Sequence, residues 1–255
     1  AFIRFFLSHG LLNITNRPLW RTVKGGSKEY VKRLADSYKE SIRFEKVSAI
    51  RRKVDGVEIK NYKNEIENFD HVVIATHADE AFLLLEDPSP REKYLLSSWK
   101  YTRNQAVLHN DYNLMPKRKR VWSSWNFIAN GKPDRDEKVC LTYWMNRLQN
   151  IPESKPLFVT LNPGEVIMDE AIISEHEYTH PYFDTNALES QKNLWDIQGI
   201  NRTWFCGSYF GYGFHEDGLQ SGLAVAEQLG GLSRPWNTVD ENDRIIVKSP
   251  NQVAA

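Results

Sequence analysis

Residues 203–230, TWFCGSYFGYGFHEDGLQSGLAVAEQLG, hold the densest group of side chains with chemical potential in this sequence. A short apolar strand, Trp204–Cys206, runs into Gly207. A loop with Gly211 and Gly213 follows, then His215-Glu216-Asp217-Gly218 and a helix predicted over Leu219–Leu229. A helix entered from a glycine-rich loop turns unpaired N–H groups and the positive end of its dipole toward whatever lies before it. Small residues at Gly218, Ser221, Gly222 and Ala224 give room for a ligand or another backbone, and Asp217 reads as the helix cap. A purely structural strand-loop-helix turn has the same pattern. His215 precedes the helix among Tyr209, Phe210, Tyr212 and Phe214, so His215 and Tyr212 are the candidate catalytic groups, with packing the plainer role. Cys206 reads as a small buried hydrophobe rather than a redox group.

Two further strings invite a chemical reading. HEYTH, from His176 to His180, matches the zinc-peptidase pattern H-E-x-x-H, which needs both imidazoles on one face of a continuous helix. Pro181 disfavours helix at His180, no third ligand is identifiable, and the expectation is a loop with a His-Pro turn and no metal. Lys117–Arg120 is a run of four cations after Pro116, either a solvated turn or a guide for an anionic substrate.

The elements that must position these groups are legible in outline. Gly25–Gly26 predict a tight turn, Ser27 an N-cap, and Tyr30, Val31, Leu34 and Tyr38 recur at helical spacing. IRFEKVSAIRR and DGVEIKNY alternate about Asp55-Gly56 and predict a hairpin. Val72–Ala75 is a continuous β-branched run before an apolar helix, the signature of a buried parallel strand. Between about 95 and 195, NQAVLHND, RVWSSWNFIA, KVCLTYWM and LFVTLN predict an antiparallel sheet rich in tryptophan, and 187–197 predicts a helix. The last ~20 residues are polar and predict a loose tail.

Composition bounds the class. The chain has 255 residues, 41% hydrophobic and 26% charged, with zero net charge and 31 aromatic residues, which excludes disorder and fits a globular protein. No apolar run reaches the ~18 residues of a membrane span. Two cysteines, Cys140 and Cys206, form no disulfide framework and imply a reduced, cytoplasmic setting. Residues 1–150 carry 27 Lys/Arg against 18 Asp/Glu, and residues 151–255 carry 6 against 15. The bland reading is two solvated faces that attract one another; the sharper one is a basic part that meets an anion. The opening AFIRFFLSHGLL reads as helix interior, and Ala1 is expected to be a cut end.

With these residues in view, GSYFGYGFHEDGLQSGLAVAEQLG resembles the last strand-loop-helix of the flavin-containing amine oxidase superfamily. WRTVKGGSKEYVKRL resembles its Gly-Gly segment, and KVSAIRRKVDGVEIKNY with FDHVVIATHADEA resembles its hairpin and central strand. Within it, RPLWRTVKGGS, YTRNQAVLHND, MPKRKRVWSSWN, TYWMNRLQ and GYGFHEDGL resemble a bacterial and plant subgroup of predicted NAD/FAD-binding proteins. The resemblance covers residues 1 to about 232. The G-x-G-x-x-G that opens the superfamily's cofactor domain does not occur, so the resemblance implies a C-terminal portion.

The resemblance implies an α/β fold with an α+β substrate part: an incomplete FAD/NAD(P)-binding Rossmann-like domain and an antiparallel-sheet substrate domain of the amine-oxidase type. Expected boundaries are 1–20 and 86–197 for the substrate domain, 21–85 and 198–232 for the FAD domain, and 233–255 for the tail. Carried over by position, Val47, Ala75 and Thr76 would meet the adenosine of FAD. Gly207 and Ser208 would meet the ribityl chain, and Asp217, Gly218 and Leu219 the flavin. Many members have an acidic residue directly after the Gly207 equivalent or one later, where Ser208 and Tyr209 stand here. The implied activity is FAD-dependent hydride removal from a substrate C–H bond, with a fatty-acyl or lipid-like small molecule as one substrate class. Peripheral membrane contact fits such a substrate, and no nucleic-acid partner is expected. The alternatives are a non-catalytic fragment with an incomplete FAD site and a zinc hydrolase built on HEYTH.

Overall fold

The hairpin forms where the Asp-Gly pair places it. Strands β1 (Val47–Arg52) and β2 (Val57–Asn61) pair antiparallel, closed by Lys53 N–H donating to Gly56 O at 2.8 Å, and β3 (Ile66–Phe69) adds a third strand. The β-branched run becomes β4 (Val72–Ile74), which pairs in parallel with β10 (Thr203–Phe205). Parallel pairing fits buried β-branched residues, and Val72, Ile74 and Phe205 are buried. This is a computed structural model, and it describes residues 6–7, 10–16, 18–19, 21–127, 140–238 and 241–248. The helix expected near 2–12 and the end of the strand expected at 120–129 lie largely outside them.

The chain divides into two compact units, one from residues 1–17, 43–102 and 181–255, the other from 18–42 and 103–180. In the first unit, the three-stranded hairpin sheet and the β4–β10 pair share a core with helices α2 (Ala78–Leu84), α3 (Pro90–Ser97), α5 (Thr185–Gln191) and α6 (His215–Gly230). Leu95, Leu96, Trp99, Leu194, Trp195 and Ile197 fill it. The side chains of Arg52 and Glu92 are 2% and 1% exposed and form an ion pair. Arg52 Nε also donates to Asp87 Oδ1 at 3.0 Å. Glu92 Oε2 accepts Ser89 N–H at 2.8 Å, so one carboxylate both caps α3 and fastens the hairpin to it.

The second unit holds α1 (Lys28–Ala35), which follows the two glycines and buries no residue. It also holds most of a five-stranded sheet in the order β6 (Trp125–Phe127), β7 (Leu141–Trp144), β8 (Phe158–Leu161), β5 (Lys100–His109) and β9 (Ile172–Tyr182). The pairs β6–β7, β7–β8 and β8–β5 are antiparallel, as the alternating runs predict. The unit boundaries fall inside β5 and β9. The short helix α4 (Met145–Gln149) follows β7.

HEYTH lies within β9, so the predicted loop is corrected to strand. A strand holds His176 and His180 on one side but ~13 Å apart, where helix would bring them within one turn, about 6 Å along the axis. His180 Nδ1 instead contacts Asn104 Nδ2 at 3.0 Å. Pro181 is tolerated because β9 is an edge strand.

His109 is completely buried on β5. Its Nδ1 accepts Asp111 N–H at 3.2 Å, which makes Nε2 the donor to Thr160 Oγ1 at 2.7 Å, and Thr160 Oγ1 meets Thr142 Oγ1 at 2.8 Å. Burial pushes the imidazole below its usual 6.5 against the pull of Asp111. Above 6.5 the ring is neutral folded and unfolded; below it the unfolded chain takes up the proton first, so stability falls as pH drops toward the lower folded value. His109→Gln should remove up to ~1.4 kcal/mol per pH unit of acid sensitivity below 6.5. Urea denaturation of variant and parent across that range checks this; equal slopes would refute it.

Candidate functional site

The C-terminal ends of β4 and β10 lie side by side because parallel pairing continues past the strands, with Cys206 N–H donating to Ile74 O at 3.1 Å. Gly207 comes next, at φ +154° and ψ 171°, a region essentially reserved for glycine. A Cβ at Gly207 would lie 2.8 Å from Tyr209 Cε1 and 3.4 Å from Thr76 O, so Thr76 and Gly207 are immediate neighbours. Gly207 N–H donates to Ser221 Oγ at 3.0 Å, and that hydroxyl faces the carbonyls of Gly207 and Gly218, each at 3.1 Å. Ser221 is fully buried. Its hydroxyl staples the first turns of α6 to the strand end, where the sequence suggests only a small residue giving space.

The open end of α6 is one turn earlier than the sequence suggests. The helix begins at His215, with Phe214 as its cap residue. Asp217 N–H and Gly218 N–H both donate to Phe214 O, at 3.1 and 3.2 Å. The donors without an intrahelical acceptor are therefore those of His215 and Glu216, not Gly218 and Leu219. The earlier start has a local cause: Asp217, three residues into the helix, reaches back and accepts Phe214 N–H at 2.7 Å. Asp217 is completely buried, and Arg244 Nε donates to its other oxygen at 2.7 Å. Asp217 is thus engaged within the protein rather than held open for a ligand.

Val47 and the consecutive pair Ala75 and Thr76, from separate parts of the sequence, line one cavity of about 660 Å³ together with Ile59, Val72 and Leu84. Thr76, which lines this cavity, neighbours Gly207, and the backbone nitrogen of Ser208, next along the chain, is 3.8 Å from where a Gly218 Cβ would stand. Nothing else lies within 4 Å of that position, so the protein's own packing does not require a glycine there. Leu219 is 55% exposed, His215 is exposed on the first turn, and Tyr212 is half-buried with the Arg244 guanidinium 5.4 Å from its ring centroid. Cys206 is buried in the core, where desolvation pushes its thiol up.

Two contributions escape a local reading. Tyr101 Oη accepts Ala78 N–H at 2.9 Å at the start of α2, and its ring stacks on His77 at 4.3 Å. The segment expected as a loose tail returns to α6: Ile245 is buried, Gln220 Oε1 accepts Arg244 N–H at 3.2 Å, and Gln228 Nε2 donates to Lys248 O at 3.0 Å. Nothing in the local pattern of 233–248 signals that return.

Comparison with known proteins finds a family-model match over part of the chain and likeness in fold. The family model for flavin containing amine oxidoreductase matches residues 5–108. A reduced UDP-galactopyranose mutase superposes with a TM-score of 0.56 at 12% identity, covering 91% of this chain and 55% of that one. A putrescine oxidase variant gives 0.57 at 13%, covering 82% and 54%. A CLA-producing fatty acid isomerase from P. acnes gives 0.51 at 14%, covering 72% and 47%. The chain thus spans about half the length of the solved structures it resembles. No curated protein matches it in sequence. Among the described residues, no helix is long and apolar enough to cross a membrane.

The two glycines should respond oppositely to alanine. Gly207→Ala forces a Cβ into the Tyr209 ring at a strained φ and should lose about 1–3 kcal/mol. Gly218→Ala sits in helix with ordinary contacts and should gain up to roughly 1 kcal/mol. Chemical denaturation of both variants tests this, and an equal effect at the two positions would contradict the geometry.

Proposed function

We propose that the protein, of which residues 5–108 match the family model for flavin containing amine oxidoreductase, belongs to the flavin-containing amine oxidase superfamily and is an FAD-dependent oxidoreductase that removes hydride from a substrate C–H bond. The observation that carries this reading is a run of neighbours: Thr76, which lines the cavity with Val47 and Ala75, abuts Gly207, and Ser208, next along the chain, abuts Gly218 in the first turn of α6. Its parts suit the successive parts of an extended dinucleotide: a mostly apolar cavity, with Glu45, Lys46 and Glu80 in its lining, for adenosine; a glycine for close approach of the ribityl chain; and a helix end for the flavin.

When bound, FAD supplies the hydride acceptor; the protein supplies position and field. Val47, Ala75 and Thr76 hold the adenosine end. Gly207, with no Cβ, and the Ser208 backbone border the ribityl chain. The N–H groups of His215 and Glu216 and the α6 dipole would face the flavin, as Gly218 and Leu219 would, and would favour a negatively charged ring. Because Ser221 and Asp217 fix this end, it need not reorganise as charge develops. Exposed His215 is the group available to exchange a proton there, and Tyr212 forms part of the wall.

The finer reading is a fatty-acyl or lipid-like acid as substrate. Its support is the exposed run Lys117–Arg120, of which Lys119 pairs with Glu153 at 2.8 Å, together with a fold shared with a fatty acid isomerase.

Two measurements test these readings. The full-length protein should purify with visible flavin absorbance and release FAD on denaturation. Gly218→Val should strip the flavin while leaving the fold intact by circular dichroism, and normal flavin content in that variant would count against the α6 assignment. Replacing Lys117, Arg118, Lys119 and Arg120 by Gln should weaken acyl-substrate binding at low salt and matter little once the Debye length falls below ~10 Å, beyond about 0.1 M. Equal affinities for variant and parent at low salt would end the acyl-anion reading.

A further inference from the structure

The segment after α6 lies along the helix and grips it at both ends. Near its C-terminal end, Arg234 Nε donates to Glu227 Oε1 at 2.6 Å, and Arg234 Nη2 to Glu227 Oε2 at 2.8 Å. This two-point pair holds the Glu227 carboxyl at about 2. At the N-terminal end, Arg244 Nε and Nη2 donate to Asp217 Oδ1 and Oδ2 at 2.7 and 3.3 Å. Buried Ile245 anchors the segment between these grips and its end.

The two grips differ in what they do to the site. Glu227 lies more than two helical turns from the site, whereas Asp217 is within the first turn of α6. The Arg244 guanidinium also lies 5.4 and 5.8 Å from the ring centroids of Tyr212 and Phe214, which precede the helix. Arg244 therefore fixes the carboxylate that closes the helix start and packs on two rings of the loop before it. It also cancels a buried negative charge. An uncompensated Asp217 carboxylate, screened from water, would oppose the dipole of its own helix at the end where that dipole acts.

We infer that Arg244 is a positioning residue for flavin reduction, acting through Asp217 to hold the first turn of α6 and to keep the charge there balanced. The inference rests on the proposed binding of FAD at this helix end. The unreduced ring is neutral and the reduced ring carries negative charge, so a bare Asp217 carboxylate disfavours reduction more than it disfavours binding. Loss of Arg244 should then lower the flavin midpoint potential. A merely structural brace, once loosened, would release flavin without a potential shift of fixed sign.

The experiment uses the full-length flavoprotein and four variants. Arg244→Met should shift the midpoint potential to more negative values and speed amide exchange of Gly218 roughly tenfold or more. Arg244→Lys should restore the potential, because the charge returns, while regaining only part of the exchange protection. The double variant Asp217→Asn/Arg244→Met should also return the potential toward the parent value, with exchange still fast. Arg234→Met, which loosens the same segment at the other end of α6, should leave the potential unchanged. A potential in Arg244→Met equal to that of the parent, with flavin bound, overturns the role of Arg244 and leaves the proposed function standing. Absence of FAD from the parent protein overturns the flavin reading itself and this inference with it. Faster exchange of Gly218 in the flavin-free variant is the readout that does not depend on cofactor.

Discussion

One buried hydroxyl joins the two halves of the candidate site. Ser221 Oγ accepts the N–H of Gly207, at the end of β10, and faces the carbonyls of Gly207 and Gly218. A parallel strand that ends and a helix that begins both leave backbone groups without partners. Bringing them together in a water-free interior requires a side chain that both donates and accepts, yet takes little volume. Serine meets both conditions. The strained backbone of Gly207, the approach of Thr76 and the direction of α6 all depend on that contact.

Two buried ion pairs have a comparable role. Arg52–Glu92 fastens the hairpin sheet to α3, and Arg244–Asp217 fastens the returning segment to α6. Taking charges out of water nearly cancels their attraction, so neither pair need add much net stability. In each case the carboxylate also serves its own helix, Glu92 accepting from Ser89 and Asp217 from Phe214. The ion pairs thus tie a local signal, the start of a helix, to a contact from a remote part of the chain.

The second unit follows a different economy. Its strands β6, β7, β8 and β5 pair antiparallel, four of its buried polar residues form a hydrogen-bonded run from Asp111 through His109 and Thr160 to Thr142, and Tyr112, Trp122, Trp144 and Phe158 cluster with centroid spacings of 5.2–5.8 Å. Burial favours the neutral form of the histidine there against the pull of Asp111, which suits a structural core position.

The sequence by itself determined what depends on neighbours in the chain. Asp55-Gly56 set the hairpin, the β-branched run set β4, and the glycine-rich loop before a small-residue helix marked the candidate site. HEYTH misled because a spacing of four fits a helix face and a strand face alike; the choice of strand came from pairing in the sheet, which the string does not encode. Tertiary structure decided the rest. Asp217 lengthens α6 by reaching back to Phe214, and Ser221 becomes a staple only when Gly207 meets it. Arg244, 27 residues after Asp217, becomes its partner only when the polar segment folds back. In each case the partner is distant along the chain, and a buried polar group is satisfied only by what the fold brings beside it.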